Sequence, residues 1–145
     1  MMKLLQSWQL WALLSALFAA LTAIFAKIGI ENINSDFATF IRTTIILILL
    51  GCILFATGTW QPLNSISLRS FLFLFLSSLA TGASWICYFR ALKIGDAGRV
   101  APIDKMSIVM VAIFGFVFLG EKLAFQNWLG VLFVSVGALL IAYQK

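Results

Sequence analysis

The chain has 145 residues, 63% hydrophobic and 10% charged, with ten Lys and Arg, five Asp and Glu, and no histidine. Soluble domains are roughly half apolar and about a quarter charged, so a mean hydropathy of +1.08 excludes a water-facing exterior and makes lipid the solvent. The net charge of +5 is spread over single residues, which suits the flanks of membrane helices and speaks against a nucleic-acid partner.

Five apolar segments follow one another, each near the roughly 20 residues that a bilayer requires. The first covers about residues 8–30. Its apolar run after Lys3 continues to Ala26, past the roughly 7–15 residues of a signal-peptide core, and so reads as a true span. Ala12, Ala16, Ala19, Ala23 and Ala26 recur at steps of four and three, a seam for close helix packing. The second span covers about residues 37–58 and carries Arg42 one turn in. "TWQPLNSIS" is a loop with its own turn chemistry, and a third span follows over about 68–92. Cys52 and Cys87 both fall inside apolar runs and read as small lipid- or core-facing thiols.

The fourth span raises a question of where it begins. A start at Pro102 leaves about 18 residues, or roughly 27 Å, which barely crosses the hydrocarbon. Asp96 is a better N-cap, with Gly95 ending the preceding helix, and the span then covers about 97–119 with a kink at Pro102. The fifth covers about 124–143, with Gly130, Gly137 and Ala138 as a second packing seam. Residues 1–145 thus read as a single all-α, polytopic membrane domain of five transmembrane helices, one compact bundle with short connections.

An odd number of spans separates the termini. Lys3, Arg69 and Lys122 fall on the N-terminal side; Lys27, Arg42, Arg90, Lys93, Arg99, Lys105 and Lys145 fall on the other. The positive-inside rule puts the C-terminus in the cytoplasm. Trp8, Trp11, Trp60 and Trp128 mark the opposite interface.

With the fourth helix starting at Ala97, Asp104 and Lys105 lie about 11–12 Å along it, inside the membrane. Ionisable residues there are costly and by default functional. Successive residues diverge by about 100° around a helix, so the two are not expected to pair with each other. Asp104 is expected to meet Arg42, Lys27 or Arg90 instead. Lys27 and Arg90 also have a plain alternative in snorkelling to the headgroups. Deeper in the third span, Ser77, Thr81, Ser84 and Tyr88 step by four, three and four along one face, bordered by Trp85, with Gly82 allowing close approach. Hydroxyls of this kind serve helix–helix contacts or a cavity wall. Hydroxyls, two aromatics and a basic mouth together favour a substrate pathway, with Asp104, Lys105, Arg42, Lys27, Ser77, Thr81, Ser84, Trp85 and Tyr88 as candidate substrate-binding residues.

From Trp85 to Tyr143 the chain resembles the EamA domain of the drug/metabolite transporter superfamily. The resemblance is carried by the "YFRALKIG" helix end, the "VAPI" kink, the "LGEKL" turn and "WLGVLFVSVGALLIA". The first half is similar more loosely, through Lys27 and Arg42, and the short single-domain five-helix bacterial branch looks nearest. The resemblance implies half of an inverted-repeat transporter that moves a small metabolite across the bacterial inner membrane by alternating access. Five helices are thin for a closed two-sided pathway between inverted repeats, so a dimer is expected, either an antiparallel homodimer or a heterodimer with a homologue. Cationic side chains in excess over one intramembrane carboxylate favour a substrate with an anionic group. A second reading is a non-transporting accessory or assembly subunit of a lipid, glycan or transport system. An enzyme is disfavoured, because the chain lacks histidine, a paired-carboxylate site and a metal-ligand cluster, and nothing in it asks for a cofactor.

Overall fold

A computed structural model describes residues 7–143, leaving Lys3 and Lys145 of the charge argument outside the described residues. The order is α1 (Trp8–Gly29), α2 (Ser35–Thr57), a 3-10 turn (Leu63–Ser65), α3 (Leu68–Ile94), α4 (Ala97–Asp104), α5 (Ser107–Leu119) and α6 (Phe125–Ala142). No strand occurs among the described residues. Taken together, α4 and α5 form one span, so among the described residues five helical segments are long and apolar enough to cross a membrane. The protein is an all-α polytopic membrane protein.

Helices suit lipid because their backbone groups bond internally, which moves the difficulty to their ends. The second span begins at Ser35, two residues before the expected start, because the Asn34 side-chain oxygen accepts from the amides of Asp36 (2.9 Å) and Phe37 (3.2 Å). Gly58 closes α2 in the left-handed region at φ 64°, with its amide donating to the carbonyls of Leu54 and Phe55. Gly120 closes α5 the same way at φ 67°. Within the helices, the hydroxyls of Thr39, Thr43, Ser78 and Ser135 donate to the carbonyl four residues earlier, which satisfies them without water.

Asp96 stands at the N-cap of α4 as expected, yet its side chain makes no capping hydrogen bond; its carbonyl accepts from Arg99 and Val100. Pro102 does more than kink the span. The helix stops at Asp104, and two residues in tighter turns, with Met106 donating to Ile103 and Ile108 to Lys105, precede its restart at Ser107. A proline removes one amide donor and crowds the carbonyl four residues back, here that of Gly98.

Large apolar side chains cover the exterior: Leu47, Phe55 and Phe133 are 70%, 86% and 73% exposed, a surface only lipid can solvate. The chain divides into two compact units. One is Phe25–Lys93, whose buried residues Ile30, Thr39, Phe89 and Leu92 lie where the end of α1, the start of α2 and the end of α3 are tied together. The other comprises the described parts of residues 1–24 and 94–145, in which α6 packs on α4 and α5. The small-residue seams are only partly covered: Ala23 is buried, while Ala12, Ala16 and Ala19 are exposed. A Cβ built at Gly82, Gly130 or Gly137 would meet nothing within 4 Å, so none of these glycines serves a close approach within its own unit.

Candidate functional site

In the Phe25–Lys93 unit, four cations lie at or below one end, and the chain treats them differently. Lys93 sits at the end of α3, where its ammonium donates to the carbonyls of Ile30 (2.5 Å), Glu31 (2.6 Å) and Ile33 (3.2 Å). All three of its N–H donors are thereby used to hold the turn between α1 and α2. Lys27, in the last turn of α1, donates to the carbonyl of Leu92 at 2.7 Å, one of the α3 carbonyls that lack an intrahelical amide. A cavity of about 350 Å³ lies between these clamps, lined by Lys27, Ile28, Ile30, Glu31, Leu92 and Lys93.

Arg90 forms a two-pronged pair with Asp36, Nε to Oδ1 at 2.9 Å and Nη2 to Oδ2 at 2.6 Å. Both side chains are half exposed, so the pair fixes register more than it adds stability. The partner of Arg90 is thus Asp36, neither Asp104 nor a headgroup as the sequence alone suggests. The signal was available: Asp36 lies in the first turn of α2 and Arg90 about a turn from the end of antiparallel α3.

Arg42 is different. It lies seven residues into α2, about 10 Å from the helix start. Its guanidinium carbon stands 4.1 Å from the centre of the Trp85 ring and 5.5 Å from that of Phe89. Among the described residues, no oxygen accepts a hydrogen bond from it and no carboxylate faces it. Trp85 and Tyr88 are half-buried, and Ser77, Thr81 and Ser84 are exposed along α3. The hydroxyl row therefore begins beside Arg42 and runs towards the middle of the membrane, Thr81 about 6 Å and Ser77 about 12 Å deeper than Trp85.

Asp104 and Lys105 belong to the other unit. Contrary to expectation, they pair with each other, Nζ to Oδ2 at 3.4 Å, with side chains 36% and 53% exposed. Successive residues diverge only on a continuous helix, whereas Lys105 lies just past the end of α4 and its long side chain turns back. Nearby, Arg99 Nη2 donates to the carbonyl of Ala142 at 3.4 Å, tying α4 to the end of α6. In the "LGEKL" turn, the amides of Gly120 and Glu121 both converge on the Gly115 carbonyl. The Glu121 carboxylate closes over Gly115, where an added Cβ would stand 2.8 Å from its oxygen. Among the described residues, no three His, Cys, Asp or Glu side chains gather as a metal site requires.

A model of the EamA-like transporter family matches residues 6–143. The chain belongs to that family. A protein of Sinorhizobium sp, named an uncharacterized transporter in the cobO 3' region, is 68% identical over 137 residues, covering 94% of this chain and 97% of that one. A probable 4-amino-4-deoxy-L-arabinose-phosphoundecaprenol flippase subunit ArnE from Aeromonas hydrophila is 29% identical, covering 67% of this chain and 95% of its own. A protein of the same description from Hamiltonella defensa is 24% identical over 59% of this chain and 76% of its own. No solved structure matches. EamA-like membership, with five spans, makes this a multi-pass membrane protein with a transporter-like role, and it points away from enzymatic chemistry.

Proposed function

We propose that this EamA-like chain is one half of a secondary transporter that moves a small metabolite across the bacterial inner membrane by alternating access. The observation that carries the reading is Arg42 lying on Trp85 at the head of the Ser84, Thr81, Ser77 row. A charged group and exposed hydroxyls continuing inward from it are costly in lipid unless a solute uses them. The substrate path is lined by Arg42, Trp85, Tyr88 and the three hydroxyls. Asp104 and Lys105 sit at the helix break, and an interrupted helix is a common site of coupling and movement in transporters. Lys27 belongs to the framework on this reading, since its ammonium holds the end of α3.

Five helices are few for a two-sided pathway, so the working unit is a dimer, either antiparallel or formed with a homologue, and the C-terminus is cytoplasmic. Proteoliposome counterflow with labelled metabolite pools tests the reading. Accumulation that disappears in Arg42→Gln liposomes is expected; no flux from any pool, alone or beside a coexpressed homologue, contradicts it. A second reading has its own observation in the relatives described as flippase subunits: the chain is a subunit of a system that translocates a lipid-linked sugar. Translocation of a lipid-linked sugar, with no flux of any soluble metabolite pool, favours that reading.

A further inference from the structure

The four cations of the Phe25–Lys93 unit form an internal comparison. Lys93 has three carbonyl acceptors, Lys27 has the Leu92 carbonyl, and Arg90 has both oxygens of Asp36. Arg42 lies deeper than any of them; among the described residues its guanidinium has no hydrogen-bond acceptor and no ion pair, and it meets the Trp85 and Phe89 rings and, electrostatically, the Tyr88 side chain. A ring face attracts the charge but leaves the five N–H donors of a guanidinium without acceptor oxygens. We infer that the missing acceptor is brought by the substrate, and that Arg42 is an oxyanion fork: a phosphate or carboxylate presents two oxygens to the guanidinium edge while Trp85 and Phe89 fix its plane.

This inference rests on the transporter reading and narrows its substrate class. A guanidinium offers parallel donors that match two oxygens of one oxyanion, whereas an ammonium is a point charge without that geometry. The aromatic neighbours orient the fork at small entropic cost, because Phe89 is 2% exposed and Trp85 half-buried. The Ser84, Thr81 and Ser77 hydroxyls continue from the fork and suit the remaining polar atoms of such a solute or headgroup. The same fork would accept a soluble phosphate or carboxylate and the phosphate of a lipid head, so the experiment separates those sources.

The test uses the full chain in dodecyl maltoside micelles free of anionic lipid. Glycerol 3-phosphate, succinate and phosphatidic acid are titrated by calorimetry, with glycerol and diacylglycerol as neutral controls, and the Arg42 Nε resonance is followed by NMR. Binding of an oxyanion but not its neutral control is expected, with a shifted Nε resonance, roughly tenfold or greater weakening in Arg42→Lys, and loss in Arg42→Gln. Saturation by glycerol 3-phosphate or succinate identifies a soluble substrate class. Saturation by phosphatidic acid alone identifies a lipid head. Should the Arg42 variants fail to fold, Trp85→Leu leaves the charge and removes its platform, and it too must weaken oxyanion binding. Equal binding by the parent and Arg42→Gln, or no binding of any of the three oxyanions to the parent, overturns the fork. Flux assays on the same proteins keep the two claims apart. Arg42-dependent binding without flux of the bound probe defeats the transport reading alone, and flux indifferent to Arg42 defeats the fork alone.

Discussion

Replacing Lys93 with methionine keeps the aliphatic stem and removes only the ammonium, so it isolates the clamp on the α1–α2 turn. Three carbonyls lose a charged donor, at 2.5, 2.6 and 3.2 Å. A hydrogen bond to a charged group contributes about 1.5–3 kcal/mol, and simple addition over three bonds would suggest a loss of about 4.5–9 kcal/mol. The environment reduces that figure. The bonds to Glu31 and Ile33 are exposed, where water or headgroups replace the donor, whereas the bond to Ile30 is partly buried and that residue is 2% exposed. The expected loss is therefore about 2–3 kcal/mol, set mainly by one shielded carbonyl. Equilibrium unfolding in mixed micelles with increasing dodecyl sulfate, followed by far-ultraviolet circular dichroism, measures it. Arg69→Met is the control and should change stability by less than about 0.5 kcal/mol. A Lys93→Met loss no larger than that of Arg69→Met would refute the clamp, and a loss above about 5 kcal/mol would show that water does not reach the two outer carbonyls.

Asn34→Ala should cost about 1 kcal/mol in the same unfolding assay, since it removes the oxygen that caps two α2 amides; Asn34→Asp should restore most of the loss. Gly120→Ala forces a Cβ into the left-handed region at φ 67° and should cost roughly 1–2 kcal/mol, with amide exchange quickening first in the α5–α6 turn. Lys105→Met and Asp104→Asn should each weaken substrate binding or flux while leaving unfolding within about 0.5 kcal/mol of the parent, because their mutual pair is long and half exposed. Parent-like transport by both variants would leave the pair without a role in the cycle.

The spans were legible because each depends on local composition alone. Lipid demands about 20 apolar residues, and nothing elsewhere in the chain alters that demand. Finer features divided by whether their partner carries a sequence signal. Pro102 announced a disturbance, but the position of the break depends on which carbonyls the next amides reach, and Met106 and Ile108 both choose the nearer one. That choice moved Lys105 off the helix and undid the divergence argument for its pairing with Asp104. The Lys93 clamp had no signature, because its three acceptors are backbone carbonyls, which every residue has. Asn34 was overlooked because Phe37 opens the apolar run and drew the boundary inward. Arg42 and Trp85 were each singled out, yet their contact was not. Lateral placement of α2 against α3 is not written in hydrophobicity when both faces of each helix meet apolar surroundings.

Whether Arg42 serves the fold is decided by comparing two magnitudes. A desolvated cation–aromatic contact contributes about 2 kcal/mol, and two rings at 4.1 and 5.5 Å cannot add fully. An arginine held in the hydrocarbon costs about 2.5–3.5 kcal/mol on insertion scales and more in other treatments. At a depth of about 10 Å the side chain recovers part of that by leaning towards the interface, so the two terms nearly cancel. Arg42 then stabilises nothing on balance, in contrast to Lys93, whose loss the fold registers. Arg42→Met should accordingly leave unfolding unchanged or shift it slightly towards greater stability, while oxyanion binding disappears. Natural sites that trade stability for function behave in this way. A loss of 2 kcal/mol or more in Arg42→Met, measured in the same micelles, would make the residue a structural element like its three neighbours and would remove the physical reason for assigning it a substrate.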